Sequence, residues 1–282
     1  MSTQNPQEEY WSNYVRRFQI SMELELYHYA IAIIGGFIAA VMNTLAGYGS
    51  IITLTILMDV LGLPANMANG TNRVNILANS LAGVLGYHQN GKLDFTKGKW
   101  ILVTVCIGAV FGVLLAINVS NDQFRAVFKY LIVVLFLSIL IKPKRWIRES
   151  NDLQNIPVWK MILFYFPVGF YGGFIQMGMG IVFLMVAVLV SGFTIIKANA
   201  MKLIIIFVYT ILSIAIFHYN GLINWKIGAV LSIGTALGGY LTASYSSRIK
   251  NANLYAYRFL VIVVFIVLLY TFGIFTFLYN QF

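Results

Sequence analysis

Two positively charged residues lie inside apolar stretches of the chain and share a local pattern. Arg73 and Lys202 each follow an Ala-Asn pair within five residues, at Ala68-Asn69 and Ala198-Asn199. A cation at the centre of a bilayer costs about 2.5–3.5 kcal/mol on insertion scales, so it needs a partner. Asp59 is the one carboxylate in the apolar runs, and it belongs to neither of these two helices. A small bound anion is therefore the expected partner.

Asparagines favour the same interpretation. Asn72, Asn75 and Asn79 share one face of the predicted helix that carries Arg73, because positions three and four apart are neighbours on a helix. The alternative is that each cation, about one turn into its helix, extends to the lipid headgroups. That arrangement needs no stripe of amides, so the stripe favours a binding site.

Glycine-containing breaks precede both of these helices. The apolar stretch 35–63 is interrupted at Gly47-Tyr48-Gly49, and the stretch 170–192 is interrupted at Gly178-Met179-Gly180. Broken helices at membrane depth are tolerated where their free backbone groups face protein, water or a ligand, and they form the binding sites of many transporters. Close helix packing is the alternative explanation of the glycines.

These features define a candidate substrate site rather than a catalytic one. Ser50 lacks a nearby histidine and acid for a triad, the sparse histidines and carboxylates give no metal constellation, and nucleotide-binding motifs are absent. We therefore expect no enzyme activity, no catalytic residue, no metal and no cofactor. The residues predicted to bind substrate are Asn43, Thr44, Gly47, Tyr48, Gly49, Ser50, Asn72, Arg73, Gln176, Gly178, Gly180, Asn199 and Lys202.

Composition identifies the environment of this site. Hydrophobic residues make up 60% of the 282 and charged residues 10%, against about 25% charged in soluble domains. The formal charge of +10 is explained by basic cytoplasmic loops, so no nucleic-acid partner is expected. Cys106 is the single cysteine and forms no internal disulfide. The chain is predicted to be a multi-pass protein of the cell membrane.

Apolar runs divide the chain into about ten segments. They are residues 26–44, 49–61, 67–87, 100–118, 128–141, 161–176, 180–190, 198–218, 227–245 and 259–277. We expect an N-terminal segment at 1–25, which is either an interfacial helix or a frayed end, and a first membrane repeat at 26–141. A basic cytoplasmic connector follows at 142–159, and a second repeat occupies 160–282.

An internal repeat relates the two halves at an offset of about 130 residues. Tyr87-His88-Gln89-Asn90-Gly91 aligns with Phe217-His218-Tyr219-Asn220-Gly221. Basic residues follow the first copy of this motif but are scarce after the second, so the two loops are predicted on opposite sides of the membrane. The predicted fold is an all-α polytopic membrane protein with two inverted-topology repeats and broken or short helices near the midplane. His88 and His218 are either turn residues or pH sensors.

The motifs around the first break resemble the sulfite exporter TauE/SafE family. The similar stretches are Ala46-Gly47-Tyr48-Gly49-Ser50, then Gly62-Leu63-Pro64, then Ala68-Asn69-Gly70-Thr71-Asn72-Arg73-Val74. The chain departs from the family pattern where Tyr48 interrupts the usual glycine run and where Leu54-Thr55 replaces a common proline. The resemblance implies a multi-spanning transporter of sulfur-containing anions such as sulfite or sulfonates.

Together these features predict an anion transporter, with export favoured, that works by alternating access between the two repeats. An inside-negative potential drives anion exit by about 2.3 kcal/mol per charge per 100 mV. An anion channel, a carrier of non-sulfur organic anions and a non-transporting scaffold or sensor remain as alternatives. The expected partners are a small anion and the lipid bilayer, and homo-oligomer formation is left open.

Overall fold

Helices account for all the regular secondary structure in the residues that the computed structural model describes, which are 25–89, 98–140, 157–193, 195–245, 261–262, 264–269 and 272. In the first half these are α1 (Leu26–Ala46), α2 (Gly49–Thr55) with a π-helical continuation (Ile56–Val60), α3 (Ala65–Gln89), α4 (Lys99–Asn118) and α5 (Asn121–Leu140). In the second half they are α6 (Val158–Phe174), α7 (Met179–Leu189), α8 (Ile195–Tyr219) and α9 (Trp225–Tyr245), followed by helical residues at 261–262 and 264–269.

The prediction of an all-α polytopic membrane protein is confirmed. In the part of the chain that the structure describes, four helices are long and apolar enough to cross a bilayer, namely Leu26–Leu45, Lys99–Asn118, Lys197–Tyr219 and Trp225–Tyr245. Two shorter apolar helices, Gly49–Val60 and Met179–Leu189, follow the predicted breaks. The predicted N-terminal segment and most of the basic connector lie outside the described residues, as do residues 90–97 and 246–260.

Helix α3 differs from these apolar helices because it is long but polar. Its 25 residues include five asparagines and Arg73, all buried within the protein. Polar side chains at membrane depth face the protein interior because lipid cannot satisfy their hydrogen bonds. Helix α3 therefore belongs in the centre of the bundle, where it contacts α8 and α9.

The two halves exchange their packing partners. The fourth helix of each half packs along the first helix of the other, so α4 contacts α6 and α9 contacts α1. Glycines allow this close approach: a Cβ atom on Gly112 would overlap the backbone of Phe170, and one on Gly234 would overlap the backbone of Ile33. Small residues of this kind are the usual means by which membrane helices associate closely.

Both halves share the order of a long helix, a break, a short helix and two longer helices, after which come α5 in the first half and the helical residues 261–262 and 264–269 in the second. This order agrees with an internal repeat. The opposite orientation of the two repeats in the membrane stays a prediction. Most of the basic residues on which that prediction depends lie in loops outside the described residues.

Candidate functional site

The first break forms at Gly47, where the chain leaves α1. Gly47 has a φ of +78°, a left-handed conformation that glycine adopts without a steric penalty. Its N–H donates to the carbonyl oxygens of Asn43 at 2.9 Å and Met42 at 3.2 Å, which is typical of a glycine that ends a helix. Helix α2 then begins at Gly49 without a side-chain cap.

The second break occupies residues 175–178, between α6 and α7. Gln176 has a φ of +58° and Gly178 a φ of +73°. Gln176 is the one non-glycine residue with positive φ in the part of the chain that the structure describes. The Tyr171 hydroxyl donates to the carbonyl of Met177 and so holds the turn against α6. Helix α7 begins at Met179, also without a side-chain cap.

The two breaks meet through their backbones. A Cβ atom built on Gly180 would lie 2.8 Å from Cα of Gly47, and one built on Gly47 would lie 2.9 Å from Cα of Gly180. Real Cβ atoms essentially never approach another atom within 3.0 Å, so side chains are excluded from both positions. This contact brings the two breaks together.

Arg73 extends from α3 to the end of α6. Its Nη1 donates to the carbonyl of Gly172 at 2.7 Å and to Oε1 of Gln176 at 2.6 Å. Its Nη2 donates to the carbonyl of Gly173 at 2.7 Å and to Oδ1 of Asn69 at 3.2 Å. The last carbonyls of a helix have no partner within the helix and carry partial negative charge. Arg73 therefore caps a helix of the other half.

Lys202 extends from α8 to the end of α1. Its Nζ donates to Oδ1 of Asn199 at 3.0 Å and, at 3.5 Å, to the carbonyl of Asn43. Its stem runs beside the second break, with Cδ 3.3 Å from the position that a Cβ on Gly180 would take. Lys202 is 1% exposed. An ammonium group has three N–H donors, so these two acceptors among the described residues leave it incompletely paired.

A polar cavity lies on the first-half side of the breaks. It is a small cavity of about 10 Å³ between α1, α2, α3 and α9. Asn43 joins this cavity to Lys202, because its side chain lines the cavity while its carbonyl faces the ammonium group. The polar side chains that line it are Asn43, Ser50, Thr53, Asn75, Asn79 and Thr235.

Hydrogen bonds connect several of these lining residues. Nδ2 of Asn43 donates to Oδ1 of Asn79 at 2.9 Å, and the Thr235 hydroxyl donates to the carbonyl of Asn75 at 3.0 Å. Within the described residues, Nδ2 of Asn72 and the Thr44 hydroxyl are buried without a hydrogen-bond partner. Such groups are costly to bury unpaired, and both were predicted to bind substrate.

The structure thus places nine of the thirteen predicted site residues in three groups. The breaks bring together Asn43, Gly47, Gly180, Asn199 and Lys202. The polar cavity includes Gly49 and Ser50, whereas Arg73 and Gln176 pair with each other at the end of α6. Of the remaining residues, Tyr48 is buried in the apolar core, Asn72 pairs with Thr53 at 2.6 Å, and Gly178 faces Leu135.

Four polar residues of the cavity were absent from the predicted site, namely Thr53, Asn75, Asn79 and Thr235. Asn75 and Asn79 belong to the asparagine stripe, whose spacing should have included them with Asn72. Thr235 carries no comparable signal, because it lies on α9 among glycines that indicate packing only.

The fold and the paired breaks define a multi-pass membrane protein with a polar interior of the kind that transporters have. The family model described as "Sulfite exporter TauE/SafE" matches residues 32–271, and the chain belongs to this family. The resemblance seen in the motifs is confirmed.

Curated relatives of similar length carry transporter names. A "Probable membrane transporter protein" of Haemophilus influenzae is 29% identical over 76% of this chain and 83% of its own length. "Probable membrane transporter protein ORF9" of Sinorhizobium sp is 26% identical over 79% and 85%. "Probable membrane transporter protein YfcA" of Escherichia coli K12 is 26% identical over 74% and 75%. No solved structure matches the chain.

Proposed function

We propose that the protein transports small sulfur-containing anions, such as sulfite or organosulfonates, and that the anion binds beside Lys202 where the two breaks meet. The contact between Gly47 and Gly180 carries this proposal. It brings the start of α7, which has no side-chain cap, and an incompletely paired lysine to one buried position. Backbone N–H groups at a helix start and a buried ammonium both favour an anion.

The site has hydrogen-bond donors suited to oxyanions. The Thr44 hydroxyl lies on the residue after Asn43, whose carbonyl accepts from Lys202. The cavity beside it supplies hydroxyls and amides. An oxyanion accepts several hydrogen bonds at once, so an anion here would accept from donors that lack partners among the described residues.

Alternating access between two inverted repeats is the mechanism that we propose. Each half contributes a broken helix and a helix carrying one cation, and the site lies where the halves meet. Movement of one half relative to the other would expose the site to either side in turn. The membrane potential would favour export.

Arg73 takes a different part in this proposal from the one predicted. Its binding role stays a prediction, and its four hydrogen bonds favour a positioning role at the end of α6. By holding Gln176 and the last carbonyls of α6, Arg73 would fix the second break on which the site depends.

Counterflow in proteoliposomes tests the function. Vesicles that contain the full chain are loaded with unlabelled sulfite, methanesulfonate or acetate, and uptake of the labelled anion is followed. We expect saturable counterflow of sulfite and methanesulfonate, and a loss of about tenfold or more in Lys202→Gln, since hydrogen bonds to charged groups contribute about 1.5–3 kcal/mol. Lys226→Gln is the matched control, because Lys226 is an exposed lysine at the start of α9.

Two outcomes would contradict the proposal. Absence of saturable flux for every anion would leave the protein without the proposed activity. If flux is unchanged in Lys202→Gln, Lys202 does not contribute to the binding site. Preference for acetate over both sulfur anions would instead identify a carrier of organic carboxylates.

A further inference from the structure

Two cationic side chains are buried in the described part of the protein, and they differ in how many of their donors already have partners. Arg73 and Lys202 are the buried Lys and Arg side chains within the described residues. No carboxylate pairs with either among those residues, and Asp59 lies apart, in an ion pair with Arg125 at 3.3 Å. The charge available to a buried ligand therefore depends on what these two cations already contact.

Arg73 has little capacity left for a ligand. Both terminal nitrogens of its guanidinium donate twice, and two of the four acceptors are backbone carbonyls of α6. Its Nε has no partner among the described residues, but the guanidinium also lies 5.6 Å from the ring centre of Phe217. A ligand could bind Arg73 only by displacing the carbonyls at the end of α6 to which Arg73 now donates.

Lys202 is the remaining positive charge, and the described polar groups around it are uncharged. Its partners are the amide oxygen of Asn199 and, at the long distance of 3.5 Å, the carbonyl of Asn43. The adjoining cavity is lined by amides, hydroxyls and apolar groups only. Neutral groups can donate hydrogen bonds to the oxygens of an anion, but they cannot balance a second negative charge on it.

We infer that the site selects monoanions over dianions of the same size and shape, an inference that rests on the proposed transport function and specifies the charge of its substrate. One ammonium balances one negative charge. A second, uncompensated charge at this depth would cost several kcal/mol in practice. Sulfite exists in water both as bisulfite and as the dianion, so bisulfite is the form that binds.

Methanesulfonate and sulfate form a matched pair of probes for this inference. Both are tetrahedral at sulfur and carry a set of equivalent oxygens, but methanesulfonate has one charge and sulfate has two. In wild-type proteoliposomes, each unlabelled anion competes with labelled sulfite in the counterflow assay. We expect half-inhibition by sulfate to need at least tenfold more anion than half-inhibition by methanesulfonate. Equal or stronger inhibition by sulfate would overturn the inference and leave transport intact.

Thermal unfolding of the full chain in detergent tests binding without any flux. The unfolding temperature is measured with sodium methanesulfonate and with sodium sulfate at equal ionic strength, in the wild type and in Lys202→Gln. Sulfate stabilises folded proteins by exclusion from their surface, so the site-specific shift is the wild-type shift minus the shift of the variant. We expect a site-specific increase with methanesulfonate and none with sulfate.

The two assays separate the failure of this inference from the failure of the proposed function. A Lys202-dependent shift with methanesulfonate, together with no counterflow of any anion, would overturn transport and retain the monoanion site. A site-specific shift with sulfate as large as that with methanesulfonate would overturn the inference, as would no site-specific shift with either anion. If Lys202→Gln does not purify, the wild-type competition decides alone.

Discussion

Arg73 and Lys202 hold corresponding places in the two halves but differ in what they contact. Each lies near the start of a long helix after a break, and each points to the end of the other half's first helix. Arg73 donates two hydrogen bonds to the last carbonyls of α6, one to Gln176 in the break that follows and one to Asn69 of its own helix. Lys202 reaches the end of α1 with one hydrogen bond of 3.5 Å.

This difference indicates how one motif can serve two purposes. A planar guanidinium with five donors suits several carbonyls at once, whereas an ammonium is a compact charge on a flexible stem. The first position therefore stabilises the fold, and the second retains capacity for a ligand. Four predictions test this division, starting with the largest expected change in stability.

Arg73→Gln should destabilise the protein most, by about 2–6 kcal/mol, because it leaves two buried carbonyls at the end of α6 without donors, at about 1–3 kcal/mol each. Unfolding of the purified protein in detergent, followed by circular dichroism, measures the loss. Arg73→Lys should recover part of it by retaining the charge. If Arg73→Gln unfolds at the wild-type temperature, the capping role is wrong and the two cations are not divided as described.

Gly47→Ala should destabilise the protein by more than the matched variant Gly62→Ala. Both glycines have positive φ, +78° and +65°, so both variants incur the left-handed strain of about 1–2 kcal/mol. Only the Cβ at Gly47 meets backbone, 2.9 Å from Cα of Gly180, while the Cβ at Gly62 meets nothing within 4 Å. An overpacking cost of about 1–3 kcal/mol is expected in addition.

The measurement for this pair is the difference between the two unfolding free energies, with sulfite counterflow as a second readout. Counterflow should be lost in Gly47→Ala and retained in Gly62→Ala. Equal stabilities would mean that the two breaks do not need their backbone contact.

Lys202→Gln should change the free energy of unfolding by less than about 1 kcal/mol, because individual hydrogen bonds in membrane proteins average about 0.6 kcal/mol. Its counterflow should nevertheless fall about tenfold or more. Lys202→Gln should thus lose flux while keeping its stability, whereas Arg73→Gln should lose both. A loss of stability at Lys202 as large as that at Arg73 would show that both cations are structural.

Thr44→Val should have the smallest effect on stability, within about 0.5 kcal/mol of wild type. The Thr44 hydroxyl is buried without a partner among the described residues, so an isosteric methyl removes an unpaired polar group. If this hydroxyl donates to the anion, the sulfite concentration that half-saturates counterflow should rise several-fold. A marked loss of stability would mean that the hydroxyl has an unrecognised structural partner.

Much of the fold could be predicted from the sequence because hydrophobic length and glycine breaks are local signals. The breaks at Gly47 and Gly178 were located from the glycines that interrupt two apolar stretches of the sequence. The partners of Arg73 were not predictable, because backbone carbonyls at a helix end carry no residue type that identifies them. The absence of nearby carboxylates correctly indicated that something else must satisfy this cation, but a bound anion was the partner considered.

The polar cavity shows the same limit. Ser50, Asn75 and Asn79 have recognisable spacing within the first half, and a helical face brings the two asparagines together. Thr235 joins them only through the packing of α9 against α1 and α3. A contact between residues 160 positions apart has no signature in either local pattern.

The exchanged packing of α4 with α6 and of α9 with α1 has a consequence for biosynthesis. The ribosome completes the first half before α6 and α9 exist, so α1 and α4 enter the bilayer without their glycine-lined partners. The buried carbonyls of Gly172 and Gly173 likewise meet a guanidinium that was synthesised about a hundred residues earlier. The first half therefore stays incompletely packed in the membrane until α6 and α9 have been synthesised and inserted.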